Sequence, residues 1–436
     1  MVIAPLARAE RISLIDSLRG FALLGILLMN MPFFSGPYLL SDNPLILQET
    51  GLNYWCWWVV RVFFDGTMRG MFSMLFGAGT FLLISRLEQK NSGLLPADIY
   101  YRRLWWLMLF GLIDGYIILW PGDILLTYGI TGLLFFPFRN LKTRGLLLFS
   151  AVFMVICSIQ STLHIQDAAK VRKEGMEVAA RKAKHKSITP KQKASLETWT
   201  KLQNEQNLDT LRKKSDSLGV QYRRNDYVAQ QKEISGVKVY LETKELFTTW
   251  IWESLAFFLF GLALFKAGIL TGKKSPLFYV VMGALGYAVG ATLRIQSTNF
   301  TYATAFDASR LIELEPVSLY QVSRIGMTLG HLSVLVLLYK TGVFSWVFKA
   351  LANVGQMAFT NYLSQSLICT FLFFGYGFGL FGLLQRYQTY GVVVAIWVFQ
   401  LIFSAIWMRY FLFGPLEWVW RSLTYWERQP ILRAKR

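Results

Sequence analysis

The 436-residue chain is 54% hydrophobic and 16% aromatic, with a formal net charge of +19 and a mean hydropathy of +0.38. Its apolar runs recur at close to the roughly 20 residues that a spanning helix needs, which excludes an ordinary soluble globule. The excess Lys and Arg is mixed with acids and lacks a stacking platform, which excludes nucleic acid as a partner, and three scattered cysteines (Cys56, Cys157, Cys369) exclude a disulfide frame or a zinc site.

In chain order, candidate spans fall at 13–33, 66–85, 103–120, 122–138, 145–162, 247–266, 276–294, 319–339, 351–374 and 390–413. The expected fold is all-α: a polytopic integral membrane helical bundle of about ten transmembrane helices. The opening stretch MVIAPLARAERISLIDSLRG offers no small-residue cleavage site after its first apolar run, which predicts a retained first span. NYWCWWVVRVFF at 53–64 is too short to cross alone and is expected in the interface or as an extension of span two. Residues 163–245 are rich in Lys, Glu, Gln and Asp and are expected as a polar extracytoplasmic insertion. A helical hairpin or short coiled coil is one form for it, and a floppy insertion is the other. The chain thus divides into 1–162 with spans one to five, 163–245, and 246–436 with spans six to ten and an amphipathic cytoplasmic tail.

Flanking charge sets the orientation. Arg8 and Arg11 precede span one; Arg86, Lys90, Arg102 and Arg103 separate spans two and three; Arg139, Lys142 and Arg144 separate four and five. Lys266, Lys273 and Lys274 follow span six, Lys340 and Lys349 separate eight and nine, and Arg409, Arg421, Arg428, Arg433, Lys435 and Arg436 lie at or beyond the end of span ten. With ten spans every cluster falls on one side, so both termini are expected in the cytoplasm. Trp and Tyr gather near the span edges, as in Tyr54, Trp55, Trp57 and Trp58, where an aromatic belt belongs.

Polar groups inside spans need partners or a function. Asp16 and Arg19 share a face of span one, either as an anchoring ion pair or as a site for an anionic headgroup or cofactor phosphate, and Asn30 follows on the same span. Arg61, Asp65 and Arg69 recur every four residues and form one charged stripe if the helix is continuous. Two Arg around one Asp would then leave positive charge for an anionic group. In GLIDGYIILWPGDILLTYG, Asp123 is placed to cap span four, whereas Asp114 lies well inside span three and needs a partner from elsewhere. Glu253 and His331 are further candidate bases, the latter equally readable as a neutral histidine bonded to a neighbouring helix. Asn353, Gln356, Asn361 and Gln365 give span nine an amide-bearing surface, suited to polar substrates or to joining helices. No metal-ligating cluster, nucleophile elbow or phosphate-binding glycine loop is present.

Five order-preserving pieces carry a resemblance: ISLIDSLRGFALLGILLMN at 12–30, MFSMLFGAG at 71–79, the stretch from Arg102 to PGDILLTYG ending at 129, GQMAFTNYLSQS at 355–366 and GPLEWVWRSLT at 414–424. On these the chain resembles the YeiB family of bacterial membrane proteins, and more distantly the transmembrane acyltransferases that include the heparan glucosamine acetyltransferase. The resemblance implies a multi-pass protein of the bacterial cell membrane. It also implies acyl transfer, with acyl-CoA offered on the cytoplasmic side as donor and a polar or sugar-like acceptor outside. Under that reading Asp114, His331 or Glu253 is the catalytic base, and Asn361 and Gln365 orient the substrate. Arg61, Asp65, Arg69, Asp123, Asn353 and Gln356 complete the substrate site, and Asp16, Arg19 and Asn30 hold the donor. Membrane lipids and a second copy of the chain are the other expected partners. The competing readings are a transporter or lipid-handling protein without covalent chemistry, and a membrane scaffold whose insertion binds a partner.

Overall fold

The computed structural model describes residues 12–38, 40–90 and 93–433; Arg8, Arg11, Lys435 and Arg436 lie outside the described residues. The described residues are helical throughout, with one isolated antiparallel bridge between Phe411 and Leu432. Helix α1 spans Ser13–Ser35 and α2 spans Leu52–Val59, continuing as a π turn to Phe64. Then come α3 (Thr67–Lys90), α4 (Leu95–Tyr116) and α5 (Leu125–Phe135). Helix α6 (Thr143–Ala183) is followed by α7 (Pro190–Gln206), α8 (Leu208–Arg224) and α9 (Tyr227–Tyr240). Helix α9 runs through a π segment directly into α10 (Ile251–Lys266). The C-terminal part holds α11 (Pro276–Ala303), α12 (Tyr320–Thr341), α13 (Ser345–Gln356), α14 (Ala358–Phe373), α15 (Arg386–Tyr410) and α16 (Pro415–Tyr425).

Seven of these helical runs are long and apolar enough to cross a membrane: Ser13–Ser35, Leu52–Lys90, Thr143–Ala183, Tyr227–Lys266, Pro276–Ala303, Tyr320–Thr341 and Arg386–Tyr410. They divide into a centre and a rim. The apolar window of α1 is 72% buried, against 22% for those of α6 and α11. The rim helices turn Leu148, Val155, Leu285 and Ile402 outward, as helices bathed in hydrocarbon do. The other three expected spans fall on different elements. Helix α4 is long enough but carries Asp98, Arg102, Arg103 and Asp114. Helix α5 has only 11 residues before Pro137 tightens the chain into a 3-10 turn. Residues 351–374 break at Met357, between α13 and α14.

That break is held open by α16. The Glu417 carboxylate accepts the Phe359 and Thr360 amides at 2.7 and 3.0 Å and the Thr360 hydroxyl at 2.6 Å. It thereby satisfies donors that a helix start leaves orphaned. Helix α13 lies flush on α1: a Cβ on Gly20 would collide with the Leu351 carbonyl, and one on Gly355 with the Asp16 carbonyl. Gly20→Leu is therefore expected to cost at least the ~1–3 kcal/mol typical of overpacking, because backbone cannot step aside. Heating the variant in detergent checks this, and an unchanged unfolding temperature would mean that the two helices do not touch.

Residues 163–245 carry the far part of α6, then α7, α8, α9 and the start of the π segment that leads into α10. Helix α6 is 41 residues long, about 60 Å. Helix α7 folds back on it, with Trp199 seated where Gly175 has no side chain. Helix α8 docks on loops at the end of the bundle where α1 finishes: Arg212 donates to the Leu45 carbonyl at 3.0 Å, and Tyr222 stacks on Phe381 at 4.6 Å. Arg172 and Arg310 pair with Glu313 and hold its carboxyl below the usual glutamate range.

Candidate functional site

Where α1 begins, the bundle holds a half-open cavity of about 240 Å³. Four arginines line it (Arg19, Arg86, Arg103 and Arg421) against two carboxyls, Asp16 and Glu417. Phe72, Phe76, Leu107, Tyr128, Phe359 and Tyr362 also line it. Arg19 is paired with Asp16 at 3.1 Å. Arg103 lies flat on the Trp420 ring, 3.6 Å from its centroid, and has no carboxylate partner among the described residues. Cationic and apolar side chains thus line one cavity, a combination that suits an amphiphilic anion.

Tyr362 connects this cavity to a buried acid pair. Its hydroxyl accepts the Ile124 amide at 3.2 Å and lies 3.5 Å from Asp123 Oδ1. Asp123 accepts the Leu125 and Leu126 amides, both at 3.0 Å, which seats the start of α5. Asp114 faces Asp123 and takes a hydrogen bond from the Ser366 hydroxyl at 3.2 Å, while no donor among the described residues reaches its Oδ1. Both carboxyls are out of contact with solvent. Lys238, itself buried, acts on both electrostatically and pairs with Glu242 at 3.3 Å. Two adjoining carboxyls repel when both are ionised, so a pair like this is suited to holding one proton.

Asp114 sits two residues from the end of α4, not deep in a span, because the chain turns at 117–124 and Leu119 takes a positive φ of 70° there. Its partners come from the turn that precedes α5 (Asp123), from α9 (Lys238) and from α14 (Ser366). The depth expected from sequence came from counting 117–120, IILW, as helix; in the fold Trp120 leaves the helix axis to stack on Phe34 at 3.8 Å.

The remaining candidates separate into other groups. Asn30 stands fourteen residues beyond Asp16 on α1, about 21 Å along the axis, and does not join it at the cavity. The stripe of Arg61, Asp65 and Arg69 is broken, since the helix stops at Asp65 and Gly66 adopts φ +66°. Asp65 sits between Arg61 (3.6 Å) and Arg294 (3.3 Å), and Arg61 reaches Asp42 at 2.7 Å. Arg69 turns instead to Glu253 at 2.9 Å. Glu253 also binds Arg324 at 2.9 Å and accepts from Gln321 at 2.6 Å, so its carboxylate is fully engaged. Positive charge on the stripe is therefore matched by its own Asp65 and by two acids from elsewhere, Asp42 and Glu253.

His331 is buried with its Nδ1 2.7 Å from the Met327 carbonyl and with the Phe64 and Tyr287 rings against its own. Asn361 donates to the Val354 carbonyl and to Ser404, and Gln365 donates to Gln400 at 2.9 Å, so these amides join α14 to α15. Gln356 lines the cavity, while Asn353 is half-buried on α13 away from it.

Sequence reasoning passed over Arg294 and Arg324, although an arginine inside an apolar run is itself a signal. It also passed over Tyr362, Tyr128 and Lys238. Nothing in their local sequence distinguishes them from belt or surface residues.

A family model described as "Protein of unknown function (DUF418)" matches residues 264–427. The uncharacterized protein YxaH of Bacillus subtilis is 29% identical over 446 residues, covering 98% of each chain. The uncharacterized protein YeiB of Escherichia coli is 28% identical over 424 residues, covering 95% of this chain and 96% of its own. These matches support a YeiB-like family. No solved structure matches.

Proposed function

We propose that this protein is a multi-pass protein of the bacterial cell membrane that transfers an acyl group to a polar, sugar-like acceptor. The observation that carries the reading is one cavity lined by four arginines, by apolar side chains and by Tyr362, which is backed by the Asp123–Asp114 pair. Acyl-CoA matches that cavity as donor: its phosphates suit Arg19, Arg86, Arg103 and Arg421, and its acyl end suits the aromatic walls. In the step proposed, the acceptor hydroxyl oxygen attacks the thioester carbonyl carbon. A C–O bond forms, the C–S bond breaks, and the thiolate leaves and takes a proton from water at the mouth. The hydroxyl proton passes through Tyr362 to the acid pair. Helices α4 with α5, and α13 with α14, complete about ten crossings, with the arginine-lined end and both termini in the cytoplasm.

Transfer from radiolabelled acetyl-CoA by the full chain in lipid nanodiscs tests the reading. Arg103→Gln is expected to raise KM for the donor about tenfold or more with kcat little changed, since a hydrogen bond to a charged group is worth about 1.5–3 kcal/mol. Absence of both transfer and coenzyme A binding in the wild-type protein would sink the proposal. The breaks at Asp65–Gly66 and Met357 favour one rival, a carrier that moves its ligand without covalent change. Flux into proteoliposomes with the ligand recovered intact is the outcome that reading requires.

A further inference from the structure

A second cavity, of about 860 Å³, lies at the opposite end of the bundle between α8, the loop that follows α1 and the start of α15. Its size falls within the ~300–1,000 Å³ of small-molecule sites. Its lining is charge-balanced: Glu49 and Asp216 face Arg223 and Arg386. The Glu49–Arg386 pair is closed at 2.7 Å with both side chains almost fully buried, and Arg223 is committed to the Phe381 carbonyl at 2.7 Å. Asn53 is fixed by donating to Gln385 and by accepting the Tyr387 amide.

One group in this lining is unsatisfied. Ser41 is 3% exposed, and its hydroxyl has no hydrogen-bond partner among the described residues. A buried hydroxyl left alone is destabilising, which a ligand oxygen would relieve. Ser35, Gln48, Thr50 and Thr389 add hydroxyl and amide groups to the same lining, and Pro32, Pro37 and Leu52 add carbon surface. The four charged side chains sum to zero, which gives the lining no net attraction for an ion, and the polar lining is wrong for a lipid tail. Among the described residues no group of three or more His, Cys, Asp or Glu is arranged to hold a metal.

We propose that this cavity binds a neutral polyhydroxylated molecule, a sugar or sugar alcohol. As a binding site it stands apart from acyl transfer. Because α8 supplies Ser215, Asp216, Gly219 and Arg223, the polar insertion forms one wall of the site.

The test is calorimetric titration of the full chain, in nanodiscs free of glycoside detergent, with neutral mono- and disaccharides, gluconate and glucosamine. At least one neutral sugar should bind saturably and more tightly than either charged probe. Thr50→Trp, an exposed position at the rim, should weaken that binding about tenfold by filling the space. Ser41→Ala should weaken it several-fold while keeping or raising the unfolding temperature, because it removes an unsatisfied hydroxyl, and Thr50→Trp should keep the wild-type unfolding temperature. Saturation by no neutral sugar, tighter binding of a charged probe, or binding indifferent to Thr50→Trp would each overturn the proposal. Binding is read without an acyl donor, so failure of acyl transfer leaves this result standing and failure here leaves transfer untouched.

Discussion

Glu253→Gln is expected to be the most damaging single substitution in the bundle. Glu253 is 5% exposed and neutralises two guanidiniums, Arg324 and Arg69, while accepting from Gln321. Arg324 is 1% exposed and packs against the Phe257 and Tyr320 rings, so it has no route to water. Removing one partner of a buried pair costs about 3–5 kcal/mol, because the other charge stays behind without its counterion. A sharp fall in unfolding temperature and in yield after size exclusion is the expected reading, with Glu427→Gln, at an exposed position, as control. A second variant, Glu253→Leu with Arg324→Met, should recover part of the loss by removing both charges together. Equal behaviour of Glu253→Gln and Glu427→Gln would remove the cluster from the account of stability.

Asp114→Asn is expected to separate activity from folding. The amide keeps an oxygen for the Ser366 hydroxyl and abolishes the repulsion with Asp123. Folded yield should therefore hold or rise. Acyl transfer should fall by about 10²–10⁴, the range for loss of a general base, and the loss should appear in kcat with the KM for donor unchanged. Asp123→Asn makes the contrast. It touches the same proton site but also disturbs the two amides that start α5, so it should lose stability as well as rate. Undiminished transfer by Asp114→Asn would take the acid pair out of the chemistry.

Tyr362 is the residue that ties the cavity to the pair, and it illustrates how the site came to be assembled. Its neighbours in sequence, Asn361 and Gln365, drew notice as amides in an apolar run, yet their donors are spent on α15. Tyr362 itself looked like one aromatic among many. Only the turn of the helix decides that Tyr362 points at Asp123 while Asn361 points at Ser404. Likewise Glu253, suspected as a base, is saturated by cations from α3 and α12.

What the sequence determined by itself is the all-helical class, the membrane-length runs and the presence of costly polar groups, because apolar length and hydrocarbon thickness are local, one-dimensional quantities. It also located Asp16 and Arg19 as a pair on one face, Asp123 as a helix cap and Asp114 as a group in need of a partner. The tertiary structure alone decided who those partners are. Helices break at Asp65–Gly66 and Met357 where distant side chains, Arg294, Arg324 and Glu417, satisfy the exposed backbone. It also carried Lys238, from the polar stretch, into the apolar bundle beside the acid pair. A charge is stabilised by whatever lies within a few ångströms, and that distance is set by packing between helices rather than by position along the chain.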